Sequence, residues 1–316
     1  GQGNDTLTGD ASPLFKSKKF LALDSNNSGN TFNITFGTDT ITDLSTGDIL
    51  VVSSGATANG TNISNFVATN STTNGGVANL TAGDTGSTII LTNSLSGFYT
   101  ITGGSGIDNL TGGSGDDIID GAGGNDNLIG GNGNDTFNIT AGTDIISDIT
   151  TGDILVVSSG ATANGTNISN FVATSSTTNA GFATLTAGNS GSTITMTNSV
   201  SGAYTLNGGS GIDILTGDTD ADTLVGNGGD DVLDGAGGAD TLTGGSNNDT
   251  FKVTSGTDSI TDLSTGDILI VSASATANAT SISNFVATSS TVNGGTANLT
   301  AGNSGSTITM TNSVSG

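Results

Sequence analysis

Two patterns of apolar and polar positions run through the chain. In stretches such as Ser192-Thr193-Ile194-Thr195-Met196-Thr197 and Ala183-Thr184-Leu185-Thr186 the two kinds of side chain alternate with a period of two. That period, carried by Thr and β-branched residues between Gly and Asn punctuation, predicts short strands. Elsewhere a single apolar residue returns every nine positions, at Leu110, Ile119, Leu128 and Phe137, and again at Leu215, Leu224, Leu233, Leu242 and Phe251. No window carries the 3.6-residue period of an amphipathic helix. An all-β chain is expected.

Comparing the chain with itself gives its larger organisation. Thr31-Phe32-Asn33-Ile34-Thr35 returns as Thr136-Phe137-Asn138-Ile139-Thr140 and, with changes, as Thr250-Phe251-Lys252-Val253-Thr254. The first spacing is 105 residues and the second 114, a difference of nine. Nine-residue units fill the intervals. From Gly103 the chain reads GGSGIDNLT, GGSGDDIID, GAGGNDNLI, GGNGNDTFN. From Gly208 it reads GGSGIDILT, GDTDADTLV, GNGGDDVLD, GAGGADTLT, GGSNNDTFK. The expected segments are a partial, degenerate block over 1–30, a β module over 31–102, a four-unit block over 103–135, a second module over 136–207, a five-unit block over 208–249 and a third module over 250–316. The Thr/Ser-rich modules read either as continued β-solenoid or as β-sandwich.

The nonapeptides follow G-G-x-G-x-D-x-U-x, and on those residues the chain resembles the repeats-in-toxin (RTX) family of secreted calcium-binding β-rolls. The resemblance implies blocks of parallel β-roll or β-solenoid in which two nonapeptides make one coil and Ca²⁺ sits between units two apart. On that pattern Asp108 pairs with Asp126, Asp117 with Asp135, Asp213 with Asp231, Asp231 with Asp249, and Asp222 with Asp240. Asp5 holds the same place in the opening partial unit. Asp218 and Asp220 replace glycines in one unit and Asn247 in another, so those turns are expected to be reshaped.

The residues support this independently. Glycines at positions one, two and four permit a positive-φ turn. One apolar side chain per unit, at position eight, enters the core, and so short a strand needs neighbours stacked above and below. The Asp at position six ends the turn, so its carboxylate recurs along one edge of the stack. Alone, such a column repels itself; with Ca²⁺ between the carboxylates and backbone carbonyls completing the oxygen shell it becomes a cross-link. The competing reading is that these Asp cap glycine turns through their own backbone. Within the modules Asp39, Asp43 and Asp48 recur as Asp144, Asp148 and Asp153 and as Asp258, Asp262 and Asp267. Further calcium at the end of each block, with Asp144 and Asp258 as ligands, and plain turn-forming Asp both remain open there. Phe66, Phe171 and Phe285 read as core anchors rather than a sugar platform.

Composition narrows the function. All 28 acidic residues are Asp, all 4 basic residues are Lys, and His and Cys are absent, for a net charge of -24. Without His, Cys, Glu or Arg there is no imidazole base, thiol nucleophile or guanidinium clamp. The charge opposes nucleic acid and anionic membranes, and no apolar run reaches the roughly 18 residues of a membrane span. Lys16, Lys18 and Lys19 read as a solvated loop. Leu, Ile, Val and Phe make up about 23% of the chain, a thin core near the disordered range. With no disulfides, a hard cation held by Asp is the natural stabiliser.

Near-identical modules generate length and surface rather than a single catalytic site. Gly1 aligns with Gly209 and Gly316 with Gly202, as in a window of a longer periodic array. The expectation is an extracellular structural protein of the bacterial cell surface, not an enzyme. It would fold and self-assemble with calcium as a surface-layer or filament component, with cell-surface polysaccharide as a further partner. A calcium-rigidified adhesin stalk, the calcium-binding region of a secreted hydrolase and, more remotely, an ice-binding sheet are the alternatives.

Overall fold

Among the described residues the strand pairings are parallel, which only a coiled path can deliver with strands this short. The computed structural model describes residues 29–302 and 305–315, together with the strands Thr6–Thr8 and Lys19–Leu21; Asp5, Lys16 and Lys18 lie outside the described residues. Among the described residues the chain is all-β, a β-solenoid, and no helix is long and apolar enough to cross a membrane. It divides into two units, Gly1–Asp148 with Asp153–Ala163, and Ile149–Gly152 with Asn164–Gly316.

In the first unit the chain passes back and forth between neighbouring sheets. Tyr99–Thr102, Ile118–Asp120, Thr136–Ile139 and Ile154–Val157 stack in one, and Thr88–Ile90, Asn109–Thr111, Asn127–Ile129 and Thr143–Ile146 in another. Thr100 pairs with Ile118 and Ile118 with Thr136; Asn109 pairs with Asn127 and Asn127 with Ile145. Each step is 18 residues, two nonapeptides per coil. The second unit repeats the scheme through Tyr204–Asn207, Thr223–Gly228 and Thr241–Ser246 on one side and Ile214–Thr216, Val232–Asp234 and Thr250–Val253 on the other.

The modules continue the solenoid, which settles their fold against the sandwich. Their coils are longer: Thr57 pairs with Val77 and Asn65 with Thr88, so the step grows to 20–23 residues and makes room for a third short strand such as Thr73–Asn74. A bulge between Gly60 and Ile63, with Asn62 in the left-handed region, bends the long strand Thr57–Ile63 toward Asn65–Val67.

The core is one row of side chains per strand. All nine position-eight residues, from Leu110 to Phe251, are fully buried. Phe66, Phe171 and Phe285 are fully buried as well, which makes them core anchors and removes them as sugar platforms. At one or two apolar side chains per strand, burial at roughly 25 cal/mol per Å² stabilises each coil little by itself. Stability must come from stacking.

Candidate metal centre

The turns between strands bring the position-six carboxylates together. All nine are buried, as are Asp144, Asp153, Asp258 and Asp267 after the blocks. Except for Asp213, whose Oδ1 is buried without a hydrogen-bond partner, each accepts, through Oδ1, the backbone N–H of a residue one coil earlier. Asp108 N–H donates to Asp126 (2.8 Å) and Asp126 N–H to Asp144 (3.0 Å). Tyr99 N–H donates to Asp117 (2.7 Å), Asp117 N–H to Asp135 (2.7 Å) and Asp135 N–H to Asp153 (2.8 Å). In the second block Asp213, Asp231, Asp249 and Asp267 form one such series. Tyr204, Asp222, Asp240 and Asp258 form the other. The carboxylates therefore recur along two ladders, one at each turn of the coil, where a single edge was expected. The five anticipated pairs are all adjacent rungs.

The second oxygen separates two kinds of rung. In the first coil of each block the turn caps its own Asp: Gly104, Gly113, Gly209 and Asp218 N–H donate to Oδ2 of Asp108, Asp117, Asp213 and Asp222 at 2.6–2.8 Å. One coil later position two is left-handed, at Ala122, Gly131, Asn227, Ala236 and Gly245. Its N–H then goes elsewhere. Ala122 donates to Asp120 (2.8 Å) and Ala236 to Asp234 (3.0 Å). Gly131 donates to Asp148 (2.8 Å) and Gly245 to Asp262 (2.7 Å). Oδ2 of Asp126, Asp231 and Asp240, and of Asp144 and Asp258 beyond the blocks, is left buried without a hydrogen-bond partner.

Glycine at position one has a different use from the one its sequence suggests. None of these glycines has a positive φ. A Cβ on Gly121 would instead overlap Asp126 Oδ2 and stand 3.0 Å from Asp144 Oδ2; one on Gly226 would overlap Asp231 Oδ2 and the carbonyl oxygen of Gly244. The missing side chain leaves a cradle lined by carboxylate and carbonyl oxygens. The same distinction explains Asp218 and Asp220: they occupy a first-coil turn in which positions two and four need no left-handed residue, so no reshaping follows.

Burial pushes Asp135, Asp144, Asp222, Asp240 and Asp249 up from 3.8 to about 7, and Asp117, Asp126 and Asp231 to about 6. Donated N–H groups pull the other way, and neighbouring carboxylates add to the rise. Among the described residues no three acidic side chains converge on one point, so a cation here must take main-chain oxygens as well as carboxylates. Buried, unpartnered anionic oxygens beside carbonyls are the donor set of a hard cation.

The flanking Asp divide. Asp144 and Asp258 extend the ladders with an open oxygen. Asp48 and Asp267 use both oxygens on backbone N–H and Ser hydroxyl donors. Asp148 and Asp262 clamp the paired glycine N–H groups of Gly130–Gly131 and Gly244–Gly245. The role of Asp120 and Asp234 in drawing off an N–H was not anticipated. Counting 18 onward from Asp135 and Asp249 would have placed Asp153 and Asp267 on the ladders.

A parallel solenoid whose glycine turns carry buried carboxylate ladders is a cation-binding β-roll. The sequence profile of the RTX calcium-binding nonapeptide repeat (four copies) matches residues 102–137 and 207–242, and with the solenoid this makes the chain an RTX β-roll protein. These nonapeptides are calcium-binding motifs, and proteins built on them are typically secreted. No curated protein and no solved structure matches the chain.

Proposed function

We propose that the chain is an extracellular structural protein that folds and self-assembles on binding calcium, as a component of a bacterial surface layer or filament, without catalysis. The observation that carries the calcium part is the set of buried, unpartnered Oδ2 atoms over position-one glycines. Asp126 with Asp144, Asp240 with Asp258, and Asp231 with Asp249 would hold the ions together with turn carbonyls, and Asp117 with Asp135 and Asp213 with Asp231 complete the ladders. Bound Ca²⁺ supplies positive charge between carboxylates that otherwise repel. The chain's own residues do the rest: backbone N–H groups fix each carboxylate, and the absent Cβ keeps the cradle open. Low calcium leaves so acidic a chain extended, and millimolar calcium lets the coils stack.

Self-association is proposed from the near-identical modules, which generate length and surface rather than one catalytic site. Electron microscopy of the chelated protein, before and after millimolar Ca²⁺, tests this reading. Sheets or filaments forming only with calcium support it. Compact, dispersed particles would overturn assembly and favour the adhesin stalk, with cell-surface polysaccharide bound elsewhere.

A further inference from the structure

One outward sheet face of the second unit carries no charged residue across four successive strands, Phe182–Ala187, Tyr204–Asn207, Thr223–Gly228 and Thr241–Ser246. Thr184, Thr205, Thr223 and Thr241 are register partners in one rank on that face, about 4.8 Å apart as neighbouring strands are. Thr186, Asn207, Val225 and Thr243 run on one side of it, and Phe182, Ala203, Ala221 and Ala239 on the other. The corresponding residues of the first unit build no such face. Asn79, Thr100, Ile118 and Thr136 form their central rank, and Asp116 and Asp120 stand where Ala221 and Val225 do. The second block has exchanged two carboxylates on the face for two in the turn, Asp218 and Asp220.

Phe182 stands out from the face. It is 69% exposed, although its strand neighbours Ala183 and Leu185 are buried. Beside it the next two coils present only the small side chains of Ala203 and Ala221. The Asn179 side chain donates to the Ala203 carbonyl oxygen at 2.7 Å and fixes that shelf. Phe182, Ala203 and Ala221, with Thr184, Thr205 and Thr223, line a groove of about 170 Å³. Among the described residues the hydroxyls of Thr184, Thr205 and Thr223 make no hydrogen bond, whereas farther along the sheet Thr243 is bonded to Thr261 (2.7 Å) and Asn298 to Asn278 (2.8 Å).

An aromatic ring, a shelf of small side chains and a rank of unbonded hydroxyls, all without charge, match one class of ligand. The C–H face of a sugar ring stacks on an aromatic side chain, and its hydroxyls pair with hydroxyls that both donate and accept. A second copy of the chain fits less well. Besides Phe182 the only apolar side chain larger than alanine in the three ranks is Val225, too little for the apolar centre of a protein interface. A flat ice-binding sheet fits no better, because Phe182 projects from it and Asn207 and Val225 interrupt the second rank of threonines. We infer that this face binds a neutral, extended glycan chain, with Phe182 as the stacking platform and Thr184, Thr205 and Thr223 as hydrogen-bonding partners. The inference goes beyond calcium-driven assembly and does not depend on it.

Depletion of the full chain from solution by microcrystalline cellulose and by chitin, in millimolar calcium, tests it. Saturable retention on at least one of them is expected, and Phe182→Val should weaken it about tenfold. Ala221→Asp combined with Val225→Asp should weaken it as well. Each substitution installs what the first unit already carries, at Val77, Asp116 and Asp120, so the fold is retained, and an unchanged circular dichroism spectrum checks that. Phe98→Ala removes an exposed aromatic beside Asp116 and should change nothing. No retention on either glycan, equal retention in all variants, or an equal loss with Phe98→Ala overturns the site. Electron microscopy of the same variants keeps assembly separate. Glycan retention lost with sheets or filaments intact supports the site; both lost together would assign the face to contacts between copies and overturn it.

Discussion

Replacing Gly121 by Ala tests whether position one is glycine for its conformation or for its emptiness. The φ of Gly121 is not positive, so a side chain costs nothing in backbone strain. Its Cβ, however, would overlap Asp126 Oδ2, stand 3.0 Å from Asp144 Oδ2 and lie 3.1 Å from Asp126 Cβ. Backbone encloses the turn, so the Asp126 carboxylate must swing away and give up the 2.8 Å bond from Asp108 N–H. Hydrogen bonds to a charged group are worth about 1.5–3 kcal/mol. At about 1.4 kcal/mol per tenfold change, that is a loss of one to two orders of magnitude in calcium affinity at this rung. Gly123, two residues along the same turn, is the control: a Cβ there meets nothing closer than 3.7 Å and φ is again not positive. Gly123→Ala should be neutral, or stabilise by about 0.4–1 kcal/mol through a stiffer unfolded chain. Calcium titrations followed by far-ultraviolet circular dichroism compare the two midpoints. Equal midpoints would refute the cradle and return position one to ordinary turn chemistry.

Three further outcomes follow from the same geometry. Asp117, Asp126, Asp135, Asp144, Asp222, Asp231, Asp240 and Asp249 are pushed up from 3.8 to about 6–7 by burial, so between about pH 4 and 7 the folded, metal-free chain binds more protons than the unfolded one. Its stability is present at low pH and lost as pH rises through 7; without calcium, strand content should rise from pH 7.5 to 4.5, and calcium affinity should fall over the same interval, as circular dichroism and dialysis would record. Asp148→Ala removes the acceptor of Gly130 and Gly131 N–H at 2.9 and 2.8 Å; it should cost about 2 kcal/mol by denaturant titration while leaving the calcium count unchanged, and a lost ion would make Asp148 a ligand. Phe171→Ala empties a fully buried position and should destabilise the calcium-bound fold by about 3–5 kcal/mol; a change within 1 kcal/mol would return the aromatic to a surface role.

How much of this was legible depends on which interaction decided each feature. The position-eight residues could be read directly, since a single apolar residue every nine positions has only one face to bury. The rung pairs followed from two nonapeptides per coil. The modules could not be assigned, because alternation of period two is the same for a strand paired with its neighbour in sequence and for one paired 20–23 residues away; only the parallel register distinguishes solenoid from sandwich. Position one was misread for a similar reason. A glycine required by positive φ and a glycine required by a neighbour's oxygen are the same letter.

The carboxylates carry this further, because identical nonapeptides do not make identical sites. Asp117 and Asp135 both occupy position six, yet Gly113 caps the first while Gly131 turns from its own Asp to Asp148. What changes is the layer beneath. Where a nonapeptide turn already lies one coil earlier, position two is left-handed, and at Ala122, Gly131, Ala236 and Gly245 an Asp supplied by the preceding strand end or by the flank collects its N–H. Asp120 and Asp234 do this at position nine of the preceding unit; Asp148 and Asp262 do it from beyond the block. An Oδ2 open to a cation is therefore a property of stacked coils, not of the motif alone. On the proposed function, cation binding and coil stacking would be one cooperative event, leaving a chain with so thin a core and so large a negative charge extended without calcium and ordered with it.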